Sequence, residues 1–379
     1  MNVLIDATPL ESGHRQRGIG AYVRHLVAGI AAALPGETRF LTLGGAGDAI
    51  PRDRAVALTS GVPYRWTDLW PLEARSLSRL VRQRGFGAFH FTSAETSTMP
   101  DGFNTVATVY DLIPYESRAS LPLDPRRLWR DRFLYDRYLH ALRAADRVIA
   151  ISQSTAAAVM QHLAIAAERV TVIPLGIDAD AYRARALLER DTVRQRLRLP
   201  ERYWLTVTSP NPNKGWPDIL HALALAKDPI PVAIAGHWLP KQRRRLQALA
   251  TRLGIDPLVL FLGHVPDALL PALYMEALSF VFASHREGFG LPVLEAMAVG
   301  TPAIVADDPA VMELAGSAAV SFPRGDVAVL ADRMATLARD AELRLRLGTL
   351  GRERSAGYTW ERTVSQTIAV YRALADRPA

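Results

Sequence analysis

The sequence predicts an α/β protein built from two doubly wound, parallel-sheet halves. Short apolar runs rich in β-branched residues alternate with longer Ala/Leu/Arg helical stretches along the whole chain. The alternation comes in two series, separated by a turn-rich segment at 174–178 and a polar, arginine-rich helix that is expected to reach residue 199. A length of 379 residues fits two domains of ordinary size better than one core.

Six strands are expected in each half. The first series falls at 3–6, 40–43, 88–92, 105–110, 148–152 and 170–174. The second series falls at 204–208, 232–235, 259–263, 280–283, 303–306 and 319–322. Two such halves facing each other would place a ligand cleft between the carboxyl ends of their strands.

Composition excludes several classes of chemistry. The chain has no cysteine, so disulfides, Cys-ligated zinc and thiol nucleophiles are ruled out. The net charge is +7, and only three of the 45 basic residues are lysines. We attribute this preference for arginine over lysine to the genome and do not interpret the basic charge as a sign of nucleic-acid binding. No recognition-helix, zinc-finger or stacking-aromatic pattern indicates nucleic-acid binding. A basic surface would suit anionic lipid head groups or a diphosphate-linked substrate.

The start of the chain lacks the basic region of a signal peptide, and no window approaches the roughly 18 apolar residues of a membrane span. We therefore expect a cytoplasmic protein, with a peripheral contact at the cytoplasmic membrane face left open. A basic helix expected at 124–145 is one candidate for that contact, although a solvated arginine face is favoured. An aromatic loop around Tyr64, Trp66 and Trp70 is interpreted mainly as packing.

The most informative stretch is VFASHREGFGLPVLEAMAVGTP, at 281–302. A strand end runs into a glycine turn and then into a helix that is expected from about residue 292. Glu287 lies in the turn and Glu295 lies eight positions later in the helix. Unpaired amides at a helix N-terminus bind anions, and an adjacent carboxylate suits hydroxyl groups. The pattern predicts a sugar-nucleotide site, whereas the alternative is that the glycines only shape the loop.

Other candidate residues follow strands. Lys214 stands beside Gly215 after strand 204–208, where a compact ammonium can neutralise a diphosphate, unless it is a chance surface lysine. Gly18 and Gly20 are expected either in a loop at the mouth of the cleft or in a plain turn before a helix at 21–33. Asp111 either meets a ligand at a strand end, caps a helix or pairs with an arginine.

Metal chemistry is not expected. Asp178-Ala179-Asp180 has the DxD spacing that metal-dependent sugar transfer uses, but it lies in the turn-rich linker, where aspartate is common. The nine histidines form no HExxH or comparable ligand pattern.

Taken together, these motifs resemble the retaining, GT-B-fold glycosyltransferases of family 4, the glycogen-synthase and mannosyltransferase-like group. The strongest match is 261–302, with its E-x7-E pair. Weaker matches follow in the family's order: the Gly18–Gly20 loop, VYDLIP at 109–114, ADRVIAIS at 145–152, VIPLGID at 172–178 and TWERT at 359–363. The resemblance implies an acceptor-side domain at 1–177, rejoined by a helix at 360–379, and a nucleotide-sugar-binding domain at 178–359.

The resemblance also implies roles for individual residues. Glu295 would bind the ribose hydroxyls, and Glu287 would lie by the donor sugar. Lys214 would stabilise the leaving diphosphate, and Asp111 is a further candidate for a base or orienting group. The remaining donor contacts would come from the 288–291 amides (Gly288, Phe289, Gly290 and Leu291), from Gly18 and Gly20 across the cleft, and from Val265 at the nucleobase.

Two departures from the family pattern concern the donor. Asn213 stands where the family usually has an arginine, and a further upstream arginine is absent near Thr208; Arg15 or Arg17 could supply the charge across the cleft. Tyr110 stands where a histidine usually touches the donor sugar, which leaves the identity of the sugar open.

The sequence thus predicts a metal-independent retaining hexosyltransferase without a separate cofactor. GDP-mannose is the first choice of donor. The acceptor would be a hydroxyl of a glycan or polyprenyl-diphosphate-linked molecule in polysaccharide or O-antigen biosynthesis. The alternatives are a nucleotide-sugar epimerase or phosphorylase on the same fold, or a non-catalytic sugar-nucleotide-binding subunit.

Overall fold

The computed structural model describes residues 2–11, 18–42, 50–57, 81–82, 84–93, 103–113 and 125–375, with only the main chain described at 125–134. The chain divides into two compact units. The first comprises Met1–Gly176 and Trp360–Ala379, and the second comprises Ile177–Thr359.

Thirteen strands are found in the described residues. They are β1 (Val3–Asp6), β2 (Thr38–Thr42), β3 (Ala55–Ala57), β4 (Ala88–Phe91), β5 (Asn104–Val109), β6 (Arg147–Ala150), β7 (Val170–Val172), β8 (Trp204–Val207), β9 (Val232–Ala235), β10 (Val259–Gly263), β11 (Ser279–Phe282), β12 (Ala303–Ala306) and β13 (Ala319–Phe322).

The α-helices of the described segments follow or separate these strands. They are α1 (Gly18–Ala33), α2 (Pro125–Ala144), α3 (Gln153–Leu163), α4 (Ala179–Leu188), α5 (Arg190–Leu197), α6 (Trp216–Ala224), α7 (Pro240–Leu253), α8 (Leu270–Met275), α9 (Leu291–Val299), α10 (Pro309–Ala315), α11 (Val327–Arg339), α12 (Ala341–Ser355) and α13 (Trp360–Ala375). None of them, within the described ranges, is long and apolar enough to cross a membrane.

Each unit contains one parallel sheet. The order is β3-β2-β1-β4-β5-β6-β7 in the first unit and β10-β9-β8-β11-β12-β13 in the second. Strands such as β1, β4 and β11 are buried along their whole length, as expected where helices cover both faces of a sheet. In both units the strand order reverses beside the first strand, which makes β1/β4 and β8/β11 the switch points of two Rossmann-like sheets. The predicted fold class is confirmed.

Three details of the prediction were wrong. The strand β3 was missed, because three residues after a charged turn carry too little pattern to be recognised, although Phe40 pairs with Ala55. Gly18 and Gly20 lie in the first turn of α1 rather than in a loop before it. The arginine-rich stretch after the linker is two helices that break at Glu189, not one. Arg15, Arg17 and the aromatic loop around Trp66 lie outside the described residues.

The helix α13 belongs to the first unit through buried polar contacts. The Tyr371 hydroxyl lies 2.6 Å from His90 Nδ1, and Thr363 donates a 2.8 Å hydrogen bond to the carbonyl of Pro174. The Trp360 ring stacks on His25 with ring centroids 4.4 Å apart. His90 is fully buried in β4, and this burial lowers its pKa to about 3, so the imidazole is neutral in the folded chain.

Candidate functional site

The candidate site lies at the switch point of the second sheet. Here β8 and β11 are parallel neighbours, with Ser279 opposite Trp204. Their carboxyl ends lead into two loops, 208–215 after β8 and 283–290 after β11. Ligands of open α/β sheets bind at the carboxyl ends of strands where the order reverses, so these two loops are the expected ligand-binding segments.

The two loops contact each other through their main chains. His285 N–H donates a 2.8 Å hydrogen bond to the carbonyl of Asn213. Gly215 has a φ of +69°, and a Cβ at this position would lie 1.9 Å from the carbonyl oxygen of Ala283. Only glycine fits both the left-handed backbone and this close approach. The glycine therefore holds Lys214 against the end of β11.

Lys214 and Glu287 form an ion pair between the two loops. Lys214 Nζ lies 2.8 Å from Glu287 Oε1, with the side chains 32% and 13% exposed. Lys214 ends a short 3-10 turn, Pro212–Lys214, that the Asn211 side chain caps by accepting from Asn213 N–H at 3.0 Å. The structure thus brings together two residues that the sequence singled out 73 positions apart.

The main chain of Glu287 is held by Asp308, which the sequence analysis missed. Asp308 Oδ2 accepts a 3.3 Å hydrogen bond from Glu287 N–H, while Oδ1 caps α10 by accepting from Ala310 and Val311. Burial raises the pKa of the Asp308 carboxyl, and the Glu287 charge adds to the increase. An aspartate directly before a proline is a helix-start signal, which would have identified the cap but not the contact with Glu287.

The N-terminus of α9 lies directly after this loop. Gly290 is its N-cap, with a φ of +101°, and no side chain caps the helix. Pro292 has no N–H and Val293 N–H donates to the Gly290 carbonyl at 2.8 Å, so the Leu291 N–H is the amide that marks the positive end of the α9 dipole at the switch point. Phe289 is buried with its ring edge-on to Tyr358, and Gly288 is buried beside it.

Glu295 lies one turn into α9 and faces a tyrosine. The Tyr274 hydroxyl donates a 2.9 Å hydrogen bond to Glu295 Oε2. Burial raises the pKa of Glu295 to about 7, and the charge of Asp267 acts in the same direction, while the Tyr274 hydrogen bond opposes them. Near neutral pH this carboxyl is therefore divided between its protonated and ionised forms.

A second set of polar and charged side chains makes contacts at the same loops. His285 Nε2 lies 2.6 Å from Asp218 Oδ2, in the first turn of α6. Arg324 donates to the His285 carbonyl at 3.2 Å and to Asp307 Oδ1 at 3.0 Å. None of these four residues was singled out from the sequence, since each is an ordinary polar residue in a loop or helix turn.

The remaining predicted residues belong to other strand ends. Val265 is buried just after β10. In the first unit, the Tyr110 hydroxyl donates a 2.8 Å hydrogen bond to the carbonyl of Thr92, and Asp111 Oδ1 accepts from Ile113 N–H at 3.0 Å. Both follow β5 at its carboxyl end. Burial raises the pKa of Tyr110 well above its ordinary value.

The DxD segment has a structural explanation. Asp178 is the N-cap of α4, and its carboxylate accepts a 3.0 Å hydrogen bond from Ala181 N–H. Among the described residues, no three His, Asp or Glu side chains lie together as a metal site.

Two family models match the chain. A model described as Glycosyltransferase Family 4 matches residues 16–181, and a model described as Glycosyl transferases group 1 matches residues 189–354. The two segments together take in most of the chain. This protein belongs to the family 4 and group 1 glycosyltransferases. The second match contains both loops of the switch point and the whole of α9.

Several curated relatives are mannosyltransferases. O-antigen chain mannosyltransferase B of Escherichia coli is 28% identical over 254 residues, which cover 65% of this chain and 66% of the relative. Serotype-specific mannosyltransferase WbdA of Escherichia coli is 29% identical over 70% of this chain but only 33% of its own length. A D-inositol 3-phosphate glycosyltransferase of Geodermatophilus obscurus is 34% identical, covering 62% of this chain and 54% of the relative. The matches thus span from a third to about two thirds of these relatives.

Solved structures share the fold over nearly the whole chain. Sucrose-phosphate synthase from Thermosynechococcus elongatus has a TM-score of 0.79 at 22% identity, covering 99% of each chain. Anabaena Alr3699/HepE, solved in complex with UDP-glucose, has a TM-score of 0.77 at 18% identity, covering 98% of this chain and all of that one. This glycosyltransferase therefore has the GT-B fold.

Proposed function

We propose that the protein is a retaining hexosyltransferase that takes its sugar from a nucleoside diphosphate. The observation that carries this proposal is the Lys214–Glu287 pair at the β8/β11 switch point, directly before the open N-terminus of α9. A cation, a carboxylate and a helix N-terminus without a side-chain cap at one place match a ligand with a diphosphate joined to a polyhydroxylated sugar.

Heterolysis of the anomeric bond places negative charge on the diphosphate and positive charge on the sugar. Lys214 and the N-terminus of α9 stabilise the negative charge on the diphosphate. Glu287 stabilises the positive charge on the sugar. Lys214 and Glu287 form an ion pair with each other. When the donor binds, Lys214 interacts with the diphosphate and Glu287 with the sugar. The acceptor hydroxyl approaches the sugar on the face from which the diphosphate leaves, and the leaving phosphate oxygen takes its proton. Asp111 is a further candidate for a base or a group that orients the acceptor.

Mannose is our first choice of sugar and GDP its carrier, supported by mannosyltransferases among the relatives. Glu295 would bind the ribose. The fold is shared with a structure that holds UDP-glucose, which supports a nucleotide-sugar donor in general. The acceptor is a glycan or lipid-linked hydroxyl, met at the cytoplasmic face of a membrane, and no metal or separate cofactor takes part.

A donor screen tests this proposal. Calorimetry across GDP-, UDP-, ADP- and dTDP-sugars is expected to identify one tight donor, and a labelled form of that donor should release its sugar to water or to an added acceptor. Formation of an isomerised nucleotide sugar would instead identify an epimerase, and production of a sugar phosphate would identify a phosphorylase. Binding of a nucleotide sugar without any turnover would identify the protein as a non-catalytic, sugar-nucleotide-binding subunit.

A further inference from the structure

Glu295 lies where three helices of the second unit pack together. The helices α4, α8 and α9 contact one another. From α8 comes Tyr274, which is fully buried and donates its hydrogen bond to Glu295 Oε2. This bond uses one carboxylate oxygen and fixes the plane of the group. The second carboxylate oxygen is left for a ligand to approach.

The helix α4 contributes Tyr182, whose hydroxyl forms no hydrogen bond within the described residues. The hydroxyl oxygen is buried. Burial raises the pKa of Tyr182 well above its ordinary value, and the charges of Glu295 and Asp267 raise it further while Arg185 opposes them. The hydroxyl is therefore in electrostatic reach of Glu295. Leaving a buried hydroxyl without a hydrogen bond is unfavourable, and a bound hydroxylic ligand would supply the missing partner.

We infer that Tyr182 and Tyr274 complete a ribose-binding site around Glu295, in which Tyr274 positions the carboxylate and Tyr182 hydrogen-bonds the sugar of the nucleotide. The inference rests on the proposed function, because that function supplies a nucleoside diphosphate at this place. A ribose diol presents two O–H donors and two acceptor oxygens. A carboxylate serves only the donors, whereas a phenol O–H serves an acceptor, so the two groups are complementary. Sites built around a hydroxyl discriminate strongly against ligands that lack it.

The helix α12 packs on α9 at close range. There α12 packs through glycines: a Cβ on Gly348 would lie 2.3 Å from the carbonyl of Gly300, and one on Gly351 would lie 3.3 Å from Met297. Among the described residues, the titratable groups that act on Glu295 are Tyr274 from α8, Asp267 from the loop before α8, and Tyr182 from α4, beside which Arg185 lies.

This arrangement gives donor binding a characteristic pH dependence. The ionised carboxylate accepts from ribose, so affinity falls as the pH drops through the pKa of Glu295, about 7. The Tyr274 hydrogen bond stabilises the ionised form. Removing it raises the pKa of Glu295, and the loss of affinity then occurs at a higher pH. Ionisation of the nucleotide itself is the same for every variant.

The test compares ribose with deoxyribose. Calorimetry at pH 8 first ranks UDP, GDP and ADP on the wild-type chain, and the 2′-deoxy form of the best one is then measured on three variants. Tyr182→Phe and Tyr274→Phe are the test variants. Tyr203→Phe is the matched control, because its buried hydroxyl, in the same unit, donates at 2.8 Å to a main-chain carbonyl, that of Leu273, rather than to Glu295.

We expect the wild type to prefer the ribonucleotide about tenfold, equivalent to about 1.4 kcal/mol. Tyr182→Phe should lose most of this preference without a lower unfolding temperature, since it removes an oxygen that lacks a partner. Tyr274→Phe should weaken binding and shift its pH profile upward, whereas Tyr203→Phe should change stability alone.

Three results would overturn the inference in distinguishable ways. If a nucleoside diphosphate binds but the ribose preference is unchanged in Tyr182→Phe, or falls equally in Tyr203→Phe, this inference fails while the proposed function stands. If the wild type binds dTDP but none of the three ribonucleotides, this inference fails and the proposed function stands, because dTDP carries a deoxyribose. If it binds none of the four nucleotides, both fail together.

Discussion

The Lys214 ammonium lies 2.8 Å from the Glu287 carboxylate, joining the loop after β8 to the loop after β11. Both side chains are partly exposed, so the pair itself contributes little to stability. The pair lies at the switch point of the sheet, before α9, where open α/β sheets bind ligands, and the proposed function gives it a catalytic role on this ground.

Replacing either member of this pair should abolish most of the activity and spare the fold. Lys214→Ala and Glu287→Gln are each expected to lower kcat by at least about a hundredfold, because each removes charge stabilisation in the transition state. Steady-state kinetics with the donor found by screening would measure this. Lys241→Ala, an exposed lysine of the same unit, is the control. Near-normal turnover in either test variant would remove that residue from the mechanism.

Substituting two glycines that have the same φ would distinguish the cost of left-handed backbone strain from the cost of a steric clash. Gly215 and Gly254 both have a φ of +69°, but a Cβ on Gly254 would meet nothing within 4 Å, whereas one on Gly215 would lie 1.9 Å from the Ala283 carbonyl. Gly254→Ala should cost only the left-handed strain, about 1–2 kcal/mol.

Gly215→Ala should cost clearly more and should also weaken donor binding, because the loop that carries Lys214 must move away from β11. Urea unfolding and calorimetry on both variants would measure the two effects. Equal losses of stability, with donor affinity unchanged in both, would contradict the close approach seen at this loop.

Sequence reasoning recovered what depends on local pattern. Buried parallel strands are short apolar runs, so five of the predicted strands match the structure residue for residue, and the glycine turn before α9 was recognisable from its spacing. It also identified Lys214 and Glu287 separately. It did not place them in contact, since 73 residues separate them and only the sheet order brings their loops together.

What sequence reasoning missed are contacts between distant polar residues of ordinary type. Arg190 and Arg194 both donate to the buried carboxylate of Glu276, and nothing in their local sequence indicates this ion pair. Tyr182 was missed for the same reason, because in the sequence it is a single aromatic residue in a polar helix. Its significance comes from the packing of α4 against α8 and α9.

The DxD segment should prove structural. Asp178→Ala is expected to destabilise the second unit by about 1 kcal/mol, because it removes the N-cap of α4. Asp180→Ala, which lacks this role, is the control. Turnover by the wild type and both variants should be unchanged by excess EDTA. Activity that disappears with EDTA and returns with Mn²⁺ or Mg²⁺ would overturn the metal-independent mechanism.

His90 should make the first unit sensitive to acid. Its pKa is lowered from 6.5 to about 3 in the folded chain, so between these values the unfolded chain binds a proton that the folded chain does not. Stability is therefore unaffected above pH 6.5 and falls below it, by up to about 1.4 kcal/mol per pH unit. His90 shares buried hydrogen bonds with Tyr371 of α13 and Thr108 of β5, and the first of these couples this loss to the docking of α13.

His90→Gln should be less stable at pH 7.5, because it perturbs these hydrogen bonds, yet it should lose less further stability at pH 5.5 than the wild type. Hydrogen exchange of peptides from β4 and α13 is the suitable measurement, since one melting temperature would average two units. His140→Gln, at an exposed position of α2, is the control and corrects for the pH dependence of exchange. The same acid sensitivity in His90→Gln and His140→Gln would show that the imidazole of His90 is not the group that titrates on unfolding.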